Sequence, residues 1–558
     1  MRLRALQRYV QEQRDEDLML RVDPPMLLPA NPERVGNLMR EWEAAQKRRQ
    51  DPSSYRAVMA RLASQLCEVL GFALVDSRSH KNLHAYVIKA PALRLSMPPA
   101  FPIVFLPRSD LAEEDIRSLD ALIAMLNVPS YLALLVVPDD QDAAFDGPAL
   151  KALATDLRRH SARDHILLKY GDLYSIFVAR DAGKRFISII LEQVDLTVVS
   201  PYVTLGPVSE SMFFGREPEL ETIIRTIKDE SLAVTGARKI GKTSILSKLH
   251  RTFSTLPDCR LLYLDCQAVQ DYEGFFDTAE SVWQVSWLPR TPEHLVRLVS
   301  MVKGGRDRPS LVFLLDEVDA LVHYDRMNRG RLFRVCRALS LDDQCRFVFC
   351  GGRFLHTQQH SPSSPLVSFC QPIHLGHLEP RDAARMVAEP MQEMGIALEA
   401  PSTLIQRIVD LSVCHPNLVQ YICHQLIVRI NLRGDRLIRL SDLGDIERST
   451  EFAAYFAEVM WGDATPLERL VTLLMLDQGS ATVAEMEAAL RDRGLDPAPA
   501  HTERALQGLL FCSVLSKNGP SYSFTTPAFA SIVTVTQDVT ALIERSVEDV
   551  VIQTGLDV

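Results

Sequence analysis

The sequence predicts an α/β multidomain protein, and three observations lead there. Its 558 residues exceed what one hydrophobic core supports, so about three to four units are expected. Strand-length apolar runs alternate with amphipathic helical segments in two separate stretches, one before residue 200 and one after residue 230. From about residue 380 the pattern turns to helices, closed by a short strand pair near residue 520.

Taken in order, residues 1–200 read as an N-terminal α/β domain with a helical start, "NPERVGNLMREWEAAQKRRQ". The helix "YRAVMARLASQLCEVLG" follows, then the apolar runs "FALVD", "AYVIKA", "FPIVFLP", "YLALLVVPD" and "HILLKY". "EEDIRSLDALIAML" and "ALKALATDLRRH" have helical periods and separate the later runs, which predicts a mainly parallel sheet. "VVSPYVTLGPVSES" is rich in turn residues and reads as a linker. Residues 201–379 form a second α/β domain, 380–460 a helical stretch, 461–535 a compact unit and 536–558 a last helix.

Composition narrows the setting. No run of about eighteen apolar residues occurs, and "MRLRALQRYVQEQRDEDLML" lacks the apolar core and cleavage site of a secretory signal, so a cytoplasmic location is expected. Ten cysteines without a CxxC pair, among them Cys350 and Cys423 in apolar surroundings, suit buried free thiols. A net charge of −10 argues against a protein that coats nucleic acid.

The chemistry is concentrated in "GARKIGKTS": Gly236, Ala237, Arg238, Lys239, Ile240, Gly241, Lys242, Thr243 and Ser244. The string fits GxxxxGK[ST], follows the apolar strand "SLAVT" and opens the helix "TSILSKLHRTF". In that setting the backbone N–H groups curl around phosphates, Lys242 reaches the β and γ oxygens, and Thr243 ligates Mg²⁺. A second strand, "SLVFLLDEVDAL", ends in an acid pair: Asp316 is expected to hold the Mg²⁺ shell and Glu317 to act as general base on the attacking water. "RLLYLDC", "RFVFCGGRF" and "PIHLGHL" bring the strands to five, which suits the P-loop class with an extra strand between the two motifs and a catalytic glutamate. Arg353, just past the fourth strand, is placed to approach the γ-phosphate.

Around these motifs the chain resembles STAND NTPases and archaeal-type ATPases of the AAA+ class, within the wider ASCE group. "FFGREPELETI" looks like the hhGRExE box that opens such proteins, and "LSVCHPNLVQYICHQLI" looks like their lid motif. The resemblance implies that Phe214, Gly215 and Arg216 border the adenine and ribose, that Pro416 contacts the base from the lid, and that Arg353 matches the arginine after the fourth strand. Two departures stand out: Cys350-Gly351-Gly352 replaces the usual Thr/Ser sensor, and Cys414-His415 replaces Gly-Gly or Gly-His. No Arg or Lys lies between Arg353 and Arg381, where ring motors of this class carry a trans-acting arginine, so a switch is favoured over a motor. The arginine-rich "RMNRGRLFRVCRAL" is either a substitute donor or a solvated face.

Three helices from Thr465, then "CSVLSKNG" and "SYSFTTPAF", predict a winged helix, common behind the lid in these families. Residues 461–535 carry Arg469, Arg491, Arg493, Arg504 and Lys517 against eight acids, a poor balance for DNA, so a regulatory wing is preferred. In the N-terminal domain Asp76 and Lys89 match two thirds of a nuclease metal site, but residue 87 is Val, where a carboxylate is needed. The histidine pairs His80/His84 and His356/His360 lack an evident third ligand.

The expected function is therefore a slowly hydrolysing, STAND-like regulatory ATPase using ATP and Mg²⁺. It would act as a conformational and oligomerisation switch in signalling or defence, with self-association and a protein trigger or target as partners and no membrane contact. The alternative is a DNA-binding AAA+-type ATPase, of the origin-recognition or transposition-regulator kind, that uses its winged helix.

Overall fold

The computed structural model describes residues 32–47, 52–80, 83–90, 95, 97–106, 113–137, 164–254, 259–284, 290–303, 310–526, 528–536 and 538–554. Its backbone separates into two units, one running to Pro201 and including Glu389–Ala397 and Ile427–Arg436, the other formed by Tyr202–Ala388, Leu398–Leu426 and the chain from Leu437 onward.

The first unit begins with helices α1 (Pro32–Lys47) and α2 (Pro52–Leu70). Next come strands β1 (Ala73–His80), β2 (Leu83–Lys89) and β3 (Ala100–Phe105), helix α3 (Glu113–Met125), and strands β4 (Leu132–Val136) and β5 (Asp164–Leu168). Helices α4 (Tyr170–Val178), α5 (Ala182–Gln193) and α6 (Leu196–Val199) complete it. The strands lie in sequence order in one sheet. The expectation of a mainly parallel sheet holds for only half of it: β1, β2 and β3 pair antiparallel, and β3, β4 and β5 pair parallel. The cause is connection length. Residues 81–82 and 90–99 are too few for a crossover helix, so the chain can only return antiparallel, whereas α3 carries it over from β3 to β4. The helix expected at "ALKALATDLRRH" lies outside the described residues. One face of the sheet is packed by Val104, Leu106, Leu122, Ile123, Leu135 and Leu167. Asn431 accepts from the Leu196 N–H at 3.0 Å and Arg436 donates to the Leu191 carbonyl at 2.5 Å, which ties 427–436 into this unit.

The second unit opens with α7 (Glu217–Thr226), β6 (Ser231–Gly236), α8 (Lys242–Ser254) and β7 (Cys259–Asp265). It continues through α9 (Tyr272–Trp283), α10 (Leu295–Val302), β8 (Ser310–Asp316), α11 (Asp319–Met327) and α12 (Arg331–Leu341). The sheet is completed by β9 (Arg346–Gly351), α13 (Arg353–His360) and β10 (Cys370–Leu375). All five strands are parallel, in the order β10-β6-β9-β8-β7. A helix on every crossover covers both faces, which is why these strands are apolar throughout and do not alternate. Phe313 on β8 stacks on Phe347 on β9 at 5.1 Å, and Phe347 stacks on Phe349 at 5.4 Å.

Helices α14 (Pro380–Glu393), α15 (Pro401–Ser412), α16 (Pro416–Arg433), α17 (Leu440–Glu447) and α18 (Thr450–Trp461) follow, with the two-residue strands β11 (Ala397–Leu398) and β12 (Leu437–Ile438). Then come α19 (Pro466–Met475), β13 (Ser480–Thr482), α20 (Val483–Arg491), α21 (Pro499–Phe511), β14 (Leu515–Asn518) and β15 (Ser521–Phe524). This three-helix group carries an antiparallel sheet in the order β13-β15-β14, one strand more than the sequence suggests. Thr465 and Thr482 start α19 and α20 as capping boxes with Glu468 and Glu485. Helices α22 (Ala528–Thr536) and α23 (Val539–Thr554) end the described chain. Among the described residues, no helix is long and apolar enough to cross a membrane.

Candidate nucleotide site

The loop between β6 and α8 carries Gly236–Gly241 at the carboxyl end of β6, an interior strand of the sheet. Gly236 must be glycine: an added Cβ would meet the Leu375 carbonyl of β10 at 2.7 Å and the Ile240 side chain at 3.0 Å. Lys239 and Gly241 take positive φ, 57° and 104°, so the loop curls and directs its N–H groups inward. Lys242 is buried, and its ammonium donates to the Gly236 and Ala237 carbonyls at 3.2 and 3.0 Å. These are contacts a phosphate would displace. Thr243 follows in the first turn of α8, and Ser244 accepts from the Val208 N–H at 3.3 Å.

The order β10-β6-β9-β8-β7 puts β9 between the loop strand and the acid-bearing strand. That is the strand order expected of the P-loop class from the two motifs. Asp316 ends β8 almost wholly buried. Its carboxylate accepts from the Tyr263 hydroxyl at 3.3 Å and the Glu317 N–H at 3.0 Å, and the buried Cys350 of the adjoining strand β9 neighbours it. Burial pushes the Cys350 thiol up, so it stands as a neutral, weak donor where the expected sensor is a hydroxyl. Glu317 has φ 50°, a sparsely populated conformation that turns its side chain off the strand line. Its carboxyl is held above the usual range by burial, with Asp316, Asp319 and Asp265 adding to the rise and Lys242 opposing it.

Thr243 and Asp316 supply a hydroxyl and a carboxylate, the donors a hard divalent cation takes. Among the described residues no group of three His, Cys, Asp or Glu side chains is arranged to hold a metal. Mg²⁺ is commonly held by one or two side chains, with the remaining ligands from phosphate and water.

The other sequence-selected residues are placed as follows. The Arg216 guanidinium is buried and donates to the Ile240 carbonyl at 3.2 Å, the Gly376 carbonyl at 2.6 Å and Glu219 at 3.0 Å, bolting the phosphate loop to the end of β10. Gly215 has φ 66°, and a Cβ there would lie 2.6 Å from that of Asp382 on α14. The Phe214 ring lies 5.5 Å from the Arg385 guanidinium. Pro416 begins α16, after Val413 and Cys414 in left-handed conformations and the buried His415, whose imidazole faces His377 at 5.3 Å. Burial holds His377 down at about 4, so it stays neutral while its Nδ1 pairs with the Val413 carbonyl at 2.7 Å.

Arg353 starts α13, and its guanidinium turns to the C-terminal three-helix group. It pairs with Glu468 of α19 and lies 3.0 Å from the Cys512 sulfur. Glu468 also accepts from the Thr465 N–H at 2.8 Å, and a Cβ on Gly508 of α21 would overlap its carboxylate oxygen. Asp319 fixes the start of α13 by accepting from the N–H groups of Gly352, Phe354 and Leu355 at 2.5, 2.9 and 3.0 Å. Lys239 of the phosphate loop pairs with Glu458 of α18 at 3.0 Å and lies 4.6 Å from the Tyr455 ring.

Sequence reasoning missed Tyr263, Asp319, Glu458 and Glu468. Only the Thr465–Glu468 capping-box spacing carried a signal, and that signal concerned helix initiation.

Asp76 on β1 faces Arg78 at 3.3 Å and is paired in register with the buried Val87. His80 and His84 lie on the β1–β2 hairpin, and His356 and His360 have rings 4.7 Å apart on α13.

The chain matches no protein-family model and no curated protein. Among solved structures it is similar to the Walker-type ATPase PABY2304 of Pyrococcus abyssi, at 14% identity and a TM-score of 0.44 over 60% of this chain and 99% of that one. It is also similar to the ORC2 protein of Aeropyrum pernix in its ADPNP–ADP complexes, at 11% identity and a TM-score of 0.43 over 61% of this chain and 95% of that one. The Aeropyrum pernix ORC1 protein in complex with DNA is similar at 15% identity and a TM-score of 0.35, over 64% of this chain and 98% of that one.

Proposed function

We propose that the protein is a cytoplasmic Mg²⁺-dependent ATPase that works as a nucleotide-driven conformational switch. The C-terminal three-helix group, read as a winged helix, is the part the switch moves. One observation supports this above the rest: residues at the phosphate site are ion-paired to helices beyond the nucleotide-binding sheet, Lys239 to Glu458 and Arg353 to Glu468. An arriving triphosphate offers both cations a competing anion.

When bound, Mg²⁺ neutralises charge on the β and γ oxygens. Lys242 leaves the Gly236 and Ala237 carbonyls for those oxygens. Glu317 takes the proton of the attacking water, for which its raised pKa makes it a better acceptor than an ordinary carboxylate. Arg353 has to leave Glu468 to reach a phosphate, so hydrolysis and the docking of α19 draw on the same side chain. Phe214, Gly215, Arg216 and Pro416 frame the base and sugar in this proposal, with Arg216 acting by holding the loop. Self-association and a protein trigger or target in signalling or defence complete the STAND-like reading. The test is turnover. ATPase activity that requires Mg²⁺ and is abolished by Glu317→Gln, with ATP binding retained, is expected; equal turnover in the variant would refute the assignment.

A second reading is an AAA+-type ATPase whose winged helix engages DNA. One observation favours it: an open groove of about 590 Å³ lies between α21, the start of α20 and the β14–β15 hairpin, and Arg504 and Lys517 line it beside Glu503. Tight duplex binding with a steep salt dependence, lost in Arg504→Ala/Lys517→Ala, would select this reading.

A further inference from the structure

The arginine-rich stretch singled out in the sequence has a structural counterpart that the nucleotide site does not use. Residues 326–341 hold five arginines and no carboxylate, in a chain whose net charge is −10. Of these, Arg331 is neutralised by Glu293 at 2.7 Å. Arg326, Arg329 and Arg334 line one pocket of about 230 Å³ with Gln358, Ser363 and Ser364. None of the three has a carboxylate within ion-pair distance among the described residues.

The one acid in the pocket wall is spoken for. Asp325 is buried, and its carboxyl accepts from the Tyr272 hydroxyl at 2.5 Å and from the N–H groups of Leu332 and Phe333 at 2.7 and 3.3 Å. It senses the Arg334 charge but serves as the N-terminal cap of α12. The pocket's shape is set by the backbone: Arg329 and Gly330 both take left-handed conformations, φ 64° and 67°, and a Cβ on Gly330 would crowd Pro365 at 3.1 Å. The chain therefore makes a tight turn that gathers three guanidinium groups around hydroxyl and amide donors.

Like charges gathered without a counter-ion repel one another, and an anion removes that cost. Guanidinium groups present forked donors that match phosphate oxygens, and serine hydroxyls and a carboxamide add single donors. The volume admits one or two phosphate groups. We infer that this pocket is a second oxyanion site, selective for a phosphate group and separate from the ATP loop. The phosphate is supplied either by a small free phosphate or by a nucleic-acid backbone.

The test uses the full chain carrying Lys242→Ala, so that the ATP loop contributes least. Titration calorimetry with inorganic pyrophosphate is compared with and without Arg329→Gln and Arg334→Gln. Affinity at least about tenfold weaker with both glutamines, regained in part by Arg329→Lys/Arg334→Lys, is expected from the loss of two charged contacts. Identical isotherms with and without the glutamines would overturn the site. Unchanged thermal melting, expected for exposed positions, shows that the variants are folded. Binding of a 20-base-pair duplex over a salt series separates the sources. A slope reduced by about two charges in the glutamine variant assigns the phosphate to nucleic acid. An unchanged slope with weakened pyrophosphate binding assigns it to a small phosphate.

Discussion

At the scale of single residues the site depends on Glu317. Burial and three neighbouring aspartates raise its pKa, and Lys242 opposes them. A raised carboxyl pKa means that the folded state releases its proton at higher pH than the unfolded chain, so ionisation at neutral pH costs stability, and that cost disappears as pH falls through the folded pKa. Glu317→Gln is therefore expected to melt at a higher temperature than the parent at pH 7, while hydrolysis falls by about 100-fold or more, as for loss of a general base. Calorimetry and a phosphate-release assay check the two halves. For the parent, the acid limb of the rate against pH is expected above the ordinary glutamate range, because the proposed base, Glu317, would accept the proton only when ionised. At this scale the sequence is most legible. Spacing singles out Lys242 and Thr243, because a backbone curl around phosphate demands fixed intervals, and an apolar strand ending in two acids singles out Asp316 and Glu317; their roles are those proposed above. Tyr263 stays hidden, because its approach to Asp316 depends on the alignment of β7 with β8.

At the scale of elements, the connection between α13 and α19 decides how the parts communicate. The Glu468 carboxylate is nearly inaccessible, held by Arg353 and its own capping box, with Gly508 flush against it. Removing one partner of a buried pair strands the other, at a cost of about 3–5 kcal/mol. Arg353→Met and Glu468→Met are each expected to destabilise the chain, with the double variant recovering a good part of the loss; denaturant melts arranged as a double-mutant cycle measure this. Gly508→Ala is expected to destabilise too, since its methyl group would need the space of Glu468 Oε1, and the carboxylate cannot turn away while Arg353 and the Thr465 N–H hold its other oxygen, Oε2. The Lys239–Glu458 pair is more exposed and contributes only about 0.2–1 kcal/mol. Periodicity locates these helices but carries no information on which distant helix a side chain meets. Arg353 shows the consequence: its position after the fourth strand marks it for the phosphate, and its side chain is found on α19.

At the scale of the molecule, the two α/β units are legible as alternations of strand and helix, and the second sheet's strand order agrees with the class its two motifs imply. In the first unit the sheet is half antiparallel, because short connections at 81–82 and 90–99 override the prior from alternation. The added strand β13 escapes because three residues before a capping box leave no period to read. What unites the second unit is that its β6–α8 loop and the start of α13, just past β9, are each ion-paired to later helices, α18 and α19. The most direct test of the switch is hydrogen exchange on Glu317→Gln, with and without saturating Mg²⁺-ATP. The account predicts faster exchange at the start of α19 and around Gly508–Cys512 once ATP is bound, because Arg353 has left Glu468. Unchanged exchange there at full nucleotide occupancy would contradict it.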